Sequence, residues 1–260
     1  MSLFLSVAVS AVIFHFGPGV LLQNEGNSRP YKEWTKQDVT RLLNDSPWAK
    51  TQTVRIAAKR QMRSVAGQVS ATPGSEGPLP TDGKAALGGA EEAINYSFTV
   101  RLRSALPIRE AIVRLVQLDS NYDRMQATEK KSLDAQTREL LECMECVDHY
   151  VISVGFGSTN SQGVDPIYNW FRGQSVESLK KYIYIQNDRG DRRDLAAFIP
   201  PRVPGDEAFF LFARRDQQGK PLVNVDHKKL LFRMSDANAN SVTNFNLDVS
   251  RMVVNGRVEF

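Results

Sequence analysis

Residues 94–156 read INYSFTVRLRSALPIREAIVRLVQLDSNYDRMQATEKKSLDAQTRELLECMECVDHYVISVGF, and the order of patterns in them decides the fold. Ile94 to Arg103 alternates apolar and polar side chains, as a strand with one buried face does. Pro107 falls at the first turn of a helix, where its missing N–H costs nothing. Ile108, Ala111, Ile112, Leu115, Leu118 and Tyr122 then recur at helical spacing. Thr128 is placed to cap a second helix that carries Leu133, Leu140, Leu141 and Met144 on one face. Tyr150 to Phe156 returns to strand. The spacing predicts a helical hairpin set between two strands.

On the N-terminal side, Thr35 is an N-cap with Asp38 three residues on, and Trp34 and Val39 occupy the two staple positions. That helix ends at Asn44-Asp45-Ser46-Pro47, because proline disfavours helix at the residue before it. Trp48 to Ile56 reads as a strand. On the C-terminal side, Tyr182–Gln186, Leu195–Ile199, Ala208–Ala213 and Lys229–Arg233 are strand candidates separated by turn residues. Met252 to Phe260 predicts a hairpin about Asn255-Gly256. Tyr168-Asn169-Trp170-Phe171 and Phe209-Phe210-Leu211-Phe212 are dense in aromatics. In strands, alternate members would face opposite sides, leaving either core packing or an exposed aromatic binding face. The predicted class is α+β, a helical hairpin packed with a β-rich, sandwich-like C-terminal part.

The chain has 260 residues, 42% hydrophobic and 24% charged, which excludes collagen, coiled coil and wholesale disorder. The net charge of +4 is small for this length. Arg55, Lys59 and Arg63 would align if helical, but no aromatic stacking platform accompanies them, so no nucleic-acid partner is expected. Leu3 to Phe16 is an apolar run of 14 broken only by Ser6, Ser10 and His15, and the first charge is Glu25. A run of that length suits a secretory signal peptide. Residues 1–28 are therefore expected to be a signal peptide or an N-terminal anchor, the anchor reading using residues 3–22. Residues 65–92 hold six of the 17 glycines and three of the 12 prolines and read as a disordered surface loop. Residues 30–260 read as a single domain around that loop.

Cys143-Met144-Glu145-Cys146 closes the second helix of the hairpin. In an exported chain these two cysteines are disulfide candidates. Inert buried thiols are the plain alternative. The sharper one is a redox or metal site, in which His149 would complete Cys-x-x-Cys-x-x-His with His227 as a distant fourth ligand. A thioredoxin-type site is disfavoured, because there the pair opens a helix, where the dipole favours thiolate.

Asp119 to Asp123 matches half a calcium loop, but Arg124 stands where glycine is needed and Lys130 where the bidentate glutamate is needed. Arg189-Gly190-Asp191 lies in a polar turn that explains its glycine. Gly155-Phe156-Gly157-Ser158 follows a strand but lacks the third glycine and the helix of a phosphate-binding turn. There is no nucleophile elbow, zinc-protease motif or Walker loop, and no serine is indicated as a nucleophile for Asp226-His227. No catalytic residue and no cofactor is assigned.

Tyr31-Lys32-Glu33-Trp34-Thr35-Lys36 through Leu42-Leu43-Asn44-Asp45-Ser46-Pro47-Trp48-Ala49 resembles the start of a family of uncharacterised exported bacterial proteins. The Cys-x-x-Cys before a strand and the Gly219-Lys220-Pro221-Leu222 turn look like the same family. The resemblance implies export and carries over no activity.

The expectation is an extracytoplasmic protein, periplasmic or secreted, acting in binding or envelope structure with a protein or glycan partner. It would touch the membrane only through its N-terminal segment. The alternative is a redox or metal-dependent protein using Cys143, Cys146 and His149.

Overall fold

A computed structural model describes residues 29–56, 94–159, 164–235, 242–254 and 257–260. The expected signal peptide or anchor, the expected loop at 65–92, Lys59, Arg63 and the Asn255-Gly256 turn lie outside the described residues. Among the described residues, no helix is long and apolar enough to cross a membrane.

A 3-10 turn at Tyr31–Glu33 leads into α1, Lys36–Asn44. Thr35 and Asp38 form the expected capping box, the Asp38 N–H donating to Thr35 Oγ1 and the Thr35 N–H to Asp38 Oδ2. β1 (Asp45–Ser46), β2 (Ala49–Ile56) and β3 (Ile94–Leu102) follow. α2 spans Leu106–Asp119 and α3 spans Ala127–Glu142, with a 3-10 turn at Tyr122–Arg124 between them. α3 starts slightly earlier than predicted: Gln126, not Thr128, is its N-cap, and the Gln126 N–H donates to Glu129 Oε2 at 2.8 Å. A short 3-10 turn, Met144–Cys146, leads to β4, His149–Ser158. Then come α4 (Asp165–Arg172), α5 (Val176–Leu179), β5 (Ile183–Asn187), β6 (Arg192–Ile199), β7 (Ala208–Ala213), β8 (Lys229–Ser235) and β9 (Val242–Asp248). β10 (Val253–Val254) and β11 (Arg257–Val258) pair antiparallel.

The molecule is mixed α+β and β-rich. Among the described residues nine strands form one antiparallel sheet in the order β1-β2-β3-β4-β7-β6-β5-β8-β9. The sheet is strongly curled. Phe210 on β7 and Phe232 on β8 are separated by two strands, which would hold them about 14 Å apart in a flat sheet. Their ring centroids are 5.7 Å apart. The concave face carries the core: Val100 and Leu102, Tyr150, Ile152 and Val154, Phe210 and Phe212, Ile183 and Ile185, Leu230 and Phe232, Phe245 and Leu247. Trp34, Val39 and Leu43 with Ala105, Ile108 and Ala111 bring α1 and α2 into the same cluster.

Two features of the helices depart from the sequence reading. Tyr168 to Phe171 forms α4 and not a strand, with Tyr168 and Phe171 buried and Phe156 stacked on Phe171 at 5.0 Å. Leu140 of α3 and Met144 of the 3-10 turn after it are 38% and 76% exposed, and Leu133 and Leu141 are only half-buried, where a buried face was expected. Thr137 is the residue of α3 that is buried, and Asp134, not an apolar residue, links the helices, accepting hydrogen bonds from Gln117 Nε2 and Tyr122 Oη. No aromatic is among the exposed large apolar residues described; Tyr168, Phe171, Phe210 and Phe212 build the core, while Phe209 is half-buried on the opposite face of the sheet.

Candidate functional site

The convex face of the sheet is built by the other half of each alternation. On β4, Tyr150, Ile152 and Val154 point to the core, which leaves Val151 and Ser153 outside. Arg101 and Arg103 alternate with Val100 and Leu102, and Phe209 and Leu211 with Phe210 and Phe212. A bulge between Leu195 and Ala197 re-phases β6, so that Leu195 and Phe198 reach the core while Ala197 packs on the convex side. Cys146, Val151 and Leu211 form a second, small apolar cluster there.

A cleft of about 790 Å³ lies over this face. Its floor is Val151, Phe209 and Leu211; α2 contributes Arg109, Ile112 and Leu115; the end of α3 contributes Leu140 and Cys143. The far wall is the segment from Ile199 to Glu207. That segment is held by Asp206, whose carboxylate accepts from the Arg202 and Val203 N–H groups at 3.1 and 3.3 Å. Gly205 has φ +100°, a conformation glycine adopts without strain, and its N–H donates to Tyr168 Oη at 2.6 Å.

Charge in the cleft is unevenly matched. Glu207 pairs with Arg101 and, at 3.8 Å, with Arg103. Arg101 is fully engaged, donating also to Leu43 O at 2.6 Å and Asn44 Oδ1 at 3.1 Å. Arg103 lies over the Phe209 ring, 5.4 Å from its centroid, and makes no side-chain hydrogen bond among the described residues. Burial pushes its pKa down, with Glu207 opposing and Arg101 adding to the shift. Arg109 donates to Leu141 O, while its Nε is buried without a partner among the described residues. Glu139 and Glu145 sit exposed at the α3 rim.

Cys143 and Cys146 are joined as a disulfide, with Cα atoms 5.3 Å apart. Cys143 caps α3 in the left-handed region at φ 42°, and Cys146 ends the 3-10 turn. The pair therefore closes a helix, at the end where the dipole disfavours thiolate. Arg214 secures the loop, donating from Nε to Cys146 O at 2.9 Å.

His149 heads β4 opposite Ala213. His227 belongs to a different network, its ring buried against Asn187 Nδ2 at 3.0 Å and Asn224 Oδ1 at 2.6 Å, so it joins neither the cysteines nor Asp226. Among the described residues, no group of three or more His, Cys, Asp or Glu is placed to hold a metal ion. A disulfide also offers no thiolate, so a Cys143–Cys146–His149 metal set would require the reduced chain. Neither described histidine hydrogen-bonds a serine, threonine or cysteine among the described residues. Ser153 is fully buried, its hydroxyl unpartnered among the described residues, and a hydroxyl without a neighbouring base is not an activated nucleophile.

The remaining motifs are structural. Gly155 and Gly157 lie inside β4, and a Cβ at Gly157 would come 2.5 Å from Ser97 Oγ on β3. Arg189-Gly190-Asp191 is the β5–β6 turn, with Gly190 at φ +91°. Asp119 and Asp123 pair with Lys36 and Arg114. Arg55 lies in β2, not on a basic helix face.

The arginines and Glu207 were missed in the sequence because they are distant along the chain. The available signal was the pair Arg101 and Arg103 on the otherwise uncovered face of a core strand. Searches of protein-family models, of curated proteins and of solved structures each find no match. The functional reading therefore rests on this chain's own residues.

Proposed function

We propose that this chain is an exported bacterial protein, periplasmic or secreted, that acts by binding and not by catalysis. Residues 1–28 would be its signal peptide, or residues 3–22 its membrane anchor. In this reading α2 and α3 are a helical hairpin laid on a sandwich-like β part, and the cleft between them receives the partner. The observation that carries the reading is a bridged cysteine pair walling an apolar cleft. Disulfides persist in oxidising compartments, and apolar concavities with a few placed charges are the usual form of a binding site. The resemblance of residues 31–49 to exported proteins favours the same compartment. A protein or lipid-like partner suits the lining better than a glycan. The lining has no amide or hydroxyl side chain, and its aromatic, Phe209, is covered by Arg103.

The test is the intact mass of the protein from its native host, before and after reduction. A chain lacking about the first 20–28 residues, the span of a signal peptide, that gains two hydrogens on reduction is the expected result. A chain with free thiols and an unprocessed N-terminus would sink the export reading.

A redox role is the second reading, and Cys143 lining the cleft favours it, since a substrate thiol could reach that sulfur. It predicts rapid reduction by dithiothreitol relative to an unstrained disulfide standard; the binding reading predicts slow reduction.

A further inference from the structure

Resting on the binding reading above, we infer that the cleft takes an alkyl carboxylate, with the carboxylate on Arg103 and the chain along Ile112, Leu115, Val151 and Leu211. Three observations lead there. First, the inner cleft sets Arg101 and Arg103 against the single carboxylate Glu207, whereas Arg109 faces Glu259 and Glu110; Glu139 and Glu145 stand solvated at the rim, and Asp206 is occupied by Arg202 and two backbone N–H groups. Second, Arg103 is preorganised and under-used. Its guanidinium carbon lies 5.4 Å from the Phe209 ring centroid, yet among the described residues its donors make only the 3.8 Å contact to Glu207. A guanidinium so placed presents a fork that matches a carboxylate. Third, the floor strands β3, β4 and β7 are each paired on both sides, so no backbone N–H or C=O is free there to hold a peptide as an added strand. An alkyl chain needs no such partners, and the remaining lining is apolar.

The probes are decanoate, decanol and decyltrimethylammonium, each below its aggregation limit, titrated calorimetrically into the oxidised full chain. The expected result is saturable binding of decanoate at one site, about tenfold or more tighter than decanol, with no binding of the cation. Arg103→Met should remove about tenfold of decanoate affinity and leave decanol unchanged. Thermal unfolding of each variant checks that the fold persists, and Arg103→Lys, which keeps the charge, should recover part of the loss. Val151→Trp, which fills the floor, should abolish binding of both uncharged and anionic chains. Equal affinity for decanol and decanoate, unaltered by Arg103→Met, would overturn the carboxylate assignment while leaving the binding cleft in place. Failure of all three probes to bind would overturn the inference and count against the cleft as a binding site. Decanoate binding that survives Val151→Trp would place the ligand elsewhere and overturn it as well.

Discussion

The guanidinium of Arg103 lies over the ring of Phe209, 5.4 Å from its centroid, across the intervening strand β4. This contact links the two outer sides of the cleft floor. A double-mutant cycle of Arg103→Met and Phe209→Ala should give a coupling of about 1–2 kcal/mol in chemical denaturation, between the ranges of exposed and desolvated cation–π pairs. Additive single effects would show that the two side chains are not energetically linked.

The Cys143–Cys146 bridge spans a short loop, so it restrains the unfolded chain only modestly. Its loss in a Cys143→Ala, Cys146→Ala variant should cost about 1–2 kcal/mol, a few degrees in Tm for a chain of this size. The faster hydrogen exchange should concentrate in Met144 to Asp148 and in Val151, which packs under the loop. A global rise in exchange without local change would contradict the account of the bridge as a clamp on one cleft wall.

The curl of the sheet makes a separate, quantitative claim. Phe210 and Phe232 touch across two intervening strands, with centroids 5.7 Å apart. Each Phe→Ala change should cost about 3–5 kcal/mol. Together they should be non-additive by about 0.5–1.5 kcal/mol, as for paired aromatic rings. Strict additivity would mean a flatter sheet.

Acid stability is set partly by Asp123. Hydrogen bonds from the Arg114 guanidinium, at 3.0 and 3.1 Å, hold its carboxyl below the ordinary aspartate value of 3.8. Burial opposes ionisation of Asp134, but hydrogen bonds from Lys32, Tyr122 and Gln117 outweigh it and lower that carboxyl too. A carboxylate with a depressed folded pKa contributes stability that is complete above 3.8 and is lost as pH falls through the lower folded value. Unfolding free energy should therefore decline below pH 3.8, and Asp123→Asn should flatten the decline. Glu110 has the opposite sign. Burial raises its pKa, partly countered by Arg109, so Glu110→Gln should stabilise the protein at neutral pH and lose that advantage on acidification.

Much of the strand and helix order was legible from alternation and capping residues. Ile94 to Arg103 and Ala208 to Ala213 announce themselves because each buries one face, and Thr35 with Asp38 marks α1 by its chemistry. α4 escaped because a run of aromatics resembles a strand when counted by hydrophobicity; Asp165-Pro166 at its start was the signal that should have decided it. The β6 bulge has no local signature, yet it decides which residues of β6 face the core. The cysteine pair stood out by its spacing, while its bridging was expected only in an exported chain. The rest of the cleft was not, because Arg101, Arg109 and Glu207 meet only through the sheet order β3-β4-β7 and the packing of α2, which are non-local.

The account stands on the cleft beneath the Cys143–Cys146 loop as the place where a partner binds. Its most direct test is amide and methyl chemical-shift mapping of the oxidised protein titrated with decanoate. The prediction is a contiguous set of saturable shifts at Arg103, Arg109, Ile112, Val151 and Leu211. Shifts absent from these residues, or clustered on another face of the molecule, would contradict it.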